Sequence, residues 1–261
     1  MARIISINSF HRGTGKSHLA ANLAILCARA GQRVGVIDHY RTEPCLHLLF
    51  GLPESQLPYT LNDYLAGRCE IEEISFDLTS HFNALGRAVG EGQLFLILAD
   101  VSVGDFTHVL REGHATDLTD QGFQGLIERL ALDLLLIDNP AGINEGILSS
   151  VALCDVLLVV VRLDKQDYLG TGVLIDLAHH LEVPYVMLVV DQVLPSHDTG
   201  AIQKQVAKDF NSEVATVLPY TDELMALAST DLFVLRYPDH PLSFKFREVA
   251  AKVLVRSGLV P

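Results

Sequence analysis

The stretch RIISINSFHRGTGKSHLAANLAILCARAG, residues 3–31, determines the fold expected of this chain. It begins with a short apolar run, continues through a loop and ends in a segment compatible with a helix. The loop contains Gly13-Thr14-Gly15-Lys16-Ser17. Glycines let backbone N–H groups turn inward around phosphate oxygens, lysine adds positive charge, and a serine hydroxyl can ligate Mg²⁺. This order of strand, loop and helix therefore predicts a phosphate-binding loop.

The rest of the chain repeats the alternation of apolar runs and amphipathic stretches. Strands are predicted at 3–8, 33–38, 94–99, 133–138, 155–161, 184–190 and 214–218. Helices are predicted at 16–30, 121–131, 145–153, 168–181, 201–210, 221–228 and 243–256, with Gly31 and Gly258 at helix C-termini. Near-continuous apolar strands are typical of a parallel sheet that is covered on both faces. We expect one α/β domain over residues 1–261, with a doubly wound, mostly parallel sheet of about seven to eight strands flanked by helices.

Composition and charge limit the class of ligand. The 261 residues are 49% apolar and carry a net charge of −13. Residues 1–41 have a charge balance of +5, whereas residues 42–200 have a balance of −18. This distribution favours a small anionic ligand over DNA, and no clear nucleic-acid patch is expected. No apolar run reaches the ~18 residues of a membrane span, and the four cysteines are scattered, as expected of a cytoplasmic protein.

Four predicted strands end in, or just before, residues capable of binding or acid–base chemistry: Asn8, Asp38, Asp138 and Asp191. Ligands of such sheets bind at the carboxyl ends of the strands. Asp138 follows four consecutive apolar residues, where a carboxylate is costly unless it faces a cation or donors. We therefore expect Asp38 and Asp138 to contact Mg²⁺ through water, with Ser17 as a direct ligand.

The segment from His11 to Ser17 resembles the deviant Walker A motif K-G-G-x-G-K-[ST] of the MinD/ParA family of P-loop ATPases. The resemblance extends to RVGVIDHY at 33–40, to the D-x-P-A-G pattern at 138–142, to Asp191-Gln192 and to LPYTDEL at 218–224. It is closer to MinD because the segment 144–146 follows D-x-P-A-G at MinD-like spacing. The resemblance implies ATP or ADP and Mg²⁺ as cofactors. It also implies a homodimer when nucleotide is bound, and a protein partner.

The resemblance also implies the site residues. Lys16, Asp38 and Asp138 would serve hydrolysis. The nucleotide contacts would be His11, Arg12, Gly13, Thr14, Gly15, Lys16, Ser17, His18, Asp191 and Pro219.

Three positions depart from the family pattern. His11 replaces a signature lysine that reaches the partner's phosphates across the dimer, and Arg12 or Lys165 are the candidate substitutes. Tyr40 occupies the position of a second aspartate that orders the hydrolytic water, and a phenol is a poor base at pH 7. Asp191 replaces an asparagine, and a carboxylate cannot donate to a ring nitrogen of adenine. We therefore expect slow ATP hydrolysis and a weaker preference for adenine.

Three functions remain open at this stage. The first is a nucleotide-dependent switch that dimerises, controls a protein partner and hydrolyses ATP weakly. The second is a pseudo-ATPase scaffold that binds nucleotide with essentially no turnover. The third is a metabolic ligase on the same frame, similar to dethiobiotin synthetase.

The closing amphipathic helix could lie on a membrane surface or pack on the sheet. Packing is favoured, through Phe244, Phe246, Val249 and Val253, because no membrane-targeting tail of the MinD type is evident after it.

Overall fold

The computed structural model describes residues 2–39, 45–52, 59–60, 63–64, 67–98 and 115–259. Within these ranges, eight strands form one sheet in the order β3-β4-β2-β5-β1-β6-β7-β8. The strands are β1 (Arg3–Asn8), β2 (Arg33–Asp38), β3 (Ser75–Asp77), β4 (Gln93–Leu98), β5 (Leu134–Asp138), β6 (Val156–Val161), β7 (Tyr185–Val193) and β8 (Glu213–Pro219). Every neighbouring pair is parallel except β3 and β4. The expected doubly wound, mostly parallel sheet is confirmed.

Helices cover both faces of this sheet. They are α1 (Lys16–Arg29), α2 (Leu46–Leu49), α3 (Leu78–Ala84), α4 (Ala115–Arg129), α5 (Glu145–Leu153), α6 (Lys165–His180), α7 (Thr199–Phe210), α8 (Asp222–Ala226), α9 (Phe233–Arg236) and α10 (Pro241–Arg256), with a 3₁₀ turn at Ile71–Ile74. Gly31 and Gly258 have φ values of +90° and +70° just beyond α1 and α10, as predicted for helix C-termini. None of these helices combines the length and apolar character that crossing a bilayer requires.

The core consists of two buried layers, one on each face of the sheet. Along β5, Leu134 and Leu136 belong to the layer under α1 and α10, whereas Leu135 and Ile137 belong to the layer under α4 to α7. Successive side chains of a strand point to opposite faces, so a strand between two layers must be apolar at every position. This double burial explains the near-continuous apolar runs by which the strands were predicted.

The sequence prediction missed the edge of the sheet. Strand β3 has only three residues, half-buried or exposed, and therefore lacks an apolar run. Helix α3 follows at once because the Asp77 carboxylate accepts hydrogen bonds from the N–H groups of Thr79 and Ser80. Strand β7 also extends beyond the predicted end at 190, so Asp191 lies inside the strand, near a register shift toward β8.

The predicted buried face of the closing helix was wrong at one position. Phe246, Val249 and Val253 are buried in α10, whereas Phe244 is 50% exposed. Residues two apart on a helix point about 200° apart, so Phe244 and Phe246 cannot share a buried face. The ring of Phe244 instead lies under the guanidinium of Arg247, 5.1 Å from its centroid.

Candidate functional site

The loop between β1 and α1 adopts the backbone expected of a phosphate-binding loop. Gly13 and Gly15 have φ values of +72° and +79°, in the left-handed region that glycine adopts without strain. Gly15 is the N-cap of α1 and supplies no capping side chain. The first N–H groups of a helix lack intrahelical partners and attract anions. The start of α1 is therefore an anion-binding site built from main-chain groups.

The Lys16 side chain lies beside this loop and is only 3% exposed. Its ammonium donates to the Ser9 hydroxyl at 2.9 Å, and that hydroxyl donates to the His11 carbonyl oxygen at 2.6 Å. Burial lowers the pKa of Lys16, and the negative charge of Asp138 opposes this shift. Lys16 is thus held among polar groups of the loop, close to the carboxylate at the end of β5.

Asp38 and Asp138 lie opposite one another at the carboxyl ends of β2 and β5. Asp138 is completely buried, and the Ser17 hydroxyl is the donor that stabilises its charged form among the described residues. Burial and the neighbouring Asp38 raise the pKa of Asp138 to about 8, although Ser17 and Lys16 oppose the rise. Two buried acidic side chains at adjacent strand ends fit a nearby cation, so Ser17, Asp38 and Asp138 would hold hydrated Mg²⁺ between them.

Asp38 has a second role that Asp138 lacks. Its Oδ2 accepts the backbone N–H groups of Cys45 at 2.7 Å and Leu46 at 2.9 Å, at the start of α2. Burial, with Asp38 next in effect, raises the pKa of the Cys45 thiol to about 12. The end of β2 is therefore tied to the segment that follows it. Tyr40, predicted at the position of the hydrolytic aspartate, lies outside the described residues.

A buried polar network connects the ends of β1, β2 and β5 with α5. The amide of Asn139 donates to the Ser6 hydroxyl at 2.9 Å, and its carbonyl oxygen accepts from Ser150 at 2.9 Å. The ring Nδ1 of His39 lies 2.9 Å from the same carbonyl oxygen. Asn8, predicted among the polar strand ends, donates to Ser6 at 2.9 Å. The residues that follow Asp38 and Asp138 are thus hydrogen-bonded to each other.

The first residues of the loop pack against α6. His11 Nδ1 forms an ion pair with Asp167, whose other oxygen accepts from Arg162 Nε at 2.7 Å. The ring of Phe10 lies on Gly170, where any Cβ would overlap it. Sequence analysis assigned His11 to the nucleotide but missed Asp167 and Arg162, because no local pattern links residues more than 150 positions apart.

The two cations considered as substitutes for the signature lysine differ in position. Arg12 lies within the phosphate-binding loop and is exposed. Its positive charge contributes to lowering the pKa of Lys16, so its guanidinium lies near the Lys16 ammonium. Lys165 is exposed at the first position of α6. Thr14 is buried, and its hydroxyl lies 3.4 Å from the His11 carbonyl oxygen across the loop.

A cavity of about 290 Å³ opens beside the loop, on the side away from Asp138. Its lining includes five predicted residues, namely Gly13, Gly15, His18, Asp191 and Pro219, and five that were not assigned to the site, namely Gln192, Tyr220, Thr221, Leu224 and Met225. The volume is near the lower limit of small-molecule pockets. LPYTDEL predicted this loop, but sequence alone could not show which of its side chains face inward.

The end of β7 is joined directly to the phosphate-binding loop. Gln192, at φ +57°, donates from its side-chain amide to the Gly13 carbonyl oxygen at 2.7 Å. Burial raises the pKa of Asp191 to about 7, against the opposing effects of Gln192 and Arg162. Burial also lowers the pKa of His18 on the opposite side of the cavity. The cavity therefore combines apolar walls with three titratable side chains, those of His18, Asp191 and Tyr220.

A parallel α/β sheet with a glycine-lysine-serine loop after its first strand, and acids at the ends of adjacent strands, defines a P-loop nucleotide-binding protein. Residues 5–234 match the model of the CobQ/CobB/MinD/ParA nucleotide binding domain. The chain belongs to this family.

Individual relatives agree with this assignment. An uncharacterized ATP-binding protein of Methanocaldococcus jannaschii is 29% identical over 255 residues, which are 97% of this chain and 88% of that protein. The septum site-determining protein MinD of Pyrococcus horikoshii OT3, solved with Mg-ADP, has a TM-score of 0.79 at 20% identity, covering 100% of this chain and 99% of that one. A chain of a MinC:MinD cell division protein complex of Aquifex aeolicus has a TM-score of 0.76 at 21% identity, covering 97% of this chain and 96% of that one. At these identities, the solved structures establish the fold.

Proposed function

We propose that this protein is a nucleotide-dependent switch of the MinD/ParA type. ATP with Mg²⁺ binds at the β1–α1 loop, orders the segments that follow β2 and β5, and promotes pairing of two copies that recruit a protein partner. Hydrolysis then reverses this state slowly. The observation that carries the proposal is Asp138, a fully buried carboxyl group that lies opposite Asp38 and beside Lys16 and Ser17.

In this proposal, the phosphates, the metal ion and the base of the nucleotide each bind a different part of the site. The N–H groups of the loop and the Lys16 ammonium bind the phosphates. Ser17 ligates Mg²⁺ directly, and Asp38 and Asp138 accept hydrogen bonds from its waters. The base enters the cavity beside Asp191 and Pro219. ADP with Mg²⁺ in the similar Pyrococcus horikoshii protein supports this choice of ligand.

In this proposal, the pair His39 and Asn139 connects the magnesium site with the segments that follow β2 and β5. Each follows a carboxylate of the magnesium site directly in the chain, and the two side chains meet at 2.9 Å. A ligand that draws Asp38 and Asp138 toward a common cation acts on both residues at once. The segments after β2 and β5 would therefore respond together rather than separately.

Pairing of two copies and recruitment of a partner are proposed by analogy with relatives in the family. The Aquifex aeolicus relative was solved as a complex of MinD with MinC, which supports a protein partner for a chain of this fold.

The test measures binding and assembly together on the full chain. Isothermal titration with ATP–Mg²⁺ and with ADP–Mg²⁺ is compared with Lys16→Ala, and the oligomeric mass is read by light scattering with each nucleotide. We expect saturable binding by the parent protein, loss of binding in Lys16→Ala, and a dimer with ATP alone. Equal binding by both proteins, or a mass that nucleotide does not change, contradicts the switch.

A pseudo-ATPase scaffold is a second candidate, and the position of His11 favours it. Its ring is paired with Asp167 on the same chain, where the family's lysine would reach toward the partner's phosphates. Cations supplied across such interfaces contribute factors of roughly 10³–10⁵ in phosphoryl transfer. A phosphate-release assay separates the two functions, because measurable turnover that Lys16→Ala abolishes establishes an ATPase, whereas binding without turnover establishes a scaffold.

A further inference from the structure

The base-side cavity contains a carboxyl group where the family resemblance implies an amide. Asp191 is 7% exposed, and its Oδ2 lies so close to Gly15 that any Cβ on Gly15 would overlap it. The same carboxyl group lines the cavity opposite Pro219 and Tyr220. Asp191 is thus held between the phosphate-binding loop and the space proposed for the base, with little freedom to turn away.

The charged and titratable groups around Asp191 come from several elements. Arg162, at the end of β6, carries the positive charge that acts on it, and Gln192 contributes N–H donors from β7 itself. His18, on α1, and Tyr220, after β8, are the other titratable side chains in the cavity lining. Lys16, on the adjacent loop, donates instead to Ser9. Burial outweighs these groups and raises the pKa of Asp191 to about 7, so both protonation states are populated near neutral pH.

The two states of a carboxyl group recognise different bases. Adenine presents an amino donor beside a ring nitrogen that accepts, and an amide side chain satisfies both. A neutral carboxylic acid does the same, since its carbonyl oxygen accepts and its hydroxyl donates. A carboxylate only accepts, which suits the adjacent ring N–H and amino donors of guanine.

We propose that Asp191 selects the nucleobase, so that the cavity binds adenine when Asp191 carries a proton and shifts toward guanine when it does not. The protonated side chain accepts from the amino group of adenine and donates to a ring nitrogen. At acidic pH, adenine binds to the side chain of Asp191 that is already protonated, and no proton is released. At alkaline pH, Asp191 takes up one proton from solvent when adenine binds. This inference rests on the proposed function, because it assumes that a nucleotide occupies the cleft.

The experiment measures the ratio of ADP to GDP affinity for the full chain between pH 5.5 and 8.5, in the presence of Mg²⁺. The two nucleotides share their phosphates and their metal site, so titration of those groups cancels in the ratio. Affinity scales with the fraction of protein in the competent state. Given a pKa of about 7, the protonated fraction falls about 30-fold between pH 5.5 and 8.5 and the deprotonated fraction rises about 30-fold, so we expect the ratio to fall by up to about 1,000-fold.

Asp191→Asn is the matched variant because it preserves shape and removes the titration. Its ratio of ADP to GDP affinity should stay high and change by less than about threefold over the same range. A parent ratio that does not change with pH overturns the role of Asp191, and this result needs no variant. Absence of binding of either nucleotide at every pH overturns the proposed function as well, and the two failures are therefore distinguishable.

Discussion

The two ends of the proposed nucleotide cleft each bury a carboxyl group, but they neutralise it differently. At the phosphate end, Asp138 is fully buried beside Ser17 and lies opposite Asp38 on the adjacent strand. At the base end, Asp191 is opposed by the charge of Arg162 and by N–H donors of Gln192. Both carboxyl groups therefore have a raised pKa, but the phosphate end places two carboxyl groups together beside Lys16, whereas the base end holds one carboxyl group opposed by a guanidinium. The first end is suited to bind a magnesium phosphate and the second to distinguish bases.

The two ends also differ in how they are held. A buried hydrogen-bond network fixes His39 and Asn139 beside the phosphate end. The base end is a cavity partly walled by exposed side chains, such as Met225, which is 64% exposed. The phosphate end should be the rigid part of the site and the base end the adaptable one.

The largest effect should come from the phosphate end, through Lys16→Ala. Loss of the buried ammonium removes a charge-assisted contact to phosphate, and we expect affinity for ATP–Mg²⁺ and ADP–Mg²⁺ to fall at least about 100-fold. Isothermal titration calorimetry measures this loss of affinity. Lys204→Ala, which removes an exposed ammonium from α7, is the control and should bind nearly as the parent does. Similar losses in both variants would place the phosphates elsewhere.

Asp138→Asn should separate metal dependence from nucleotide binding. An amide cannot replace a carboxylate opposite a hydrated cation, so the gain in ATP affinity that Mg²⁺ provides should fall about tenfold. The ligand-free variant should also unfold at higher urea concentration at pH 8, since one of two opposed carboxylates is removed. The exposed Asp176→Asn serves as the control for charge alone. A variant with unchanged dependence on Mg²⁺ would exclude Asp138 from the metal site.

Asn139→Ala tests the rigidity assigned to the phosphate end. It leaves Ser6, Ser150 and His39 without a shared partner, and an unsatisfied buried group costs about 1–3 kcal/mol. Urea denaturation should show a loss of that size in the free energy of unfolding. Asn83→Ala, at an exposed position, should change it by less than about 0.5 kcal/mol. Equal stability of the two variants would mean that the network does not hold this end.

Met225→Ala should give the smallest effect and act at the base end. A partly exposed side chain on the cavity wall contributes modest apolar contact, so ADP affinity should fall about two- to fivefold. The dependence on Mg²⁺ should not change. Titration of ADP with and without Mg²⁺ checks both statements. A change in the dependence on Mg²⁺ would mean that the two ends of the cleft are coupled.

Much of the fold and of the phosphate end could be predicted from the sequence. The strand ends Asp38 and Asp138 were expected at one edge of the sheet, and the register places them opposite one another. The contacts of His11 could not be predicted, because Asp167 reaches it only through the packing of α6. The edge strand β3 was missed because three half-buried or exposed residues leave no periodic signal.

Local order along the chain was sufficient for the seven buried strands, for the longer helices and for the glycine-lysine-serine loop. Buried strands need continuous apolar residues, and a phosphate loop needs glycine at two left-handed positions. The chemical state of the buried acids was decided by tertiary structure. Asp138 and Asp191 are the same residue type at similar strand ends, and their neighbours come from distant parts of the chain. Burial and facing charges determine whether each one is matched by a metal ion or by a proton, and these arise only when the sheet and its helices pack together.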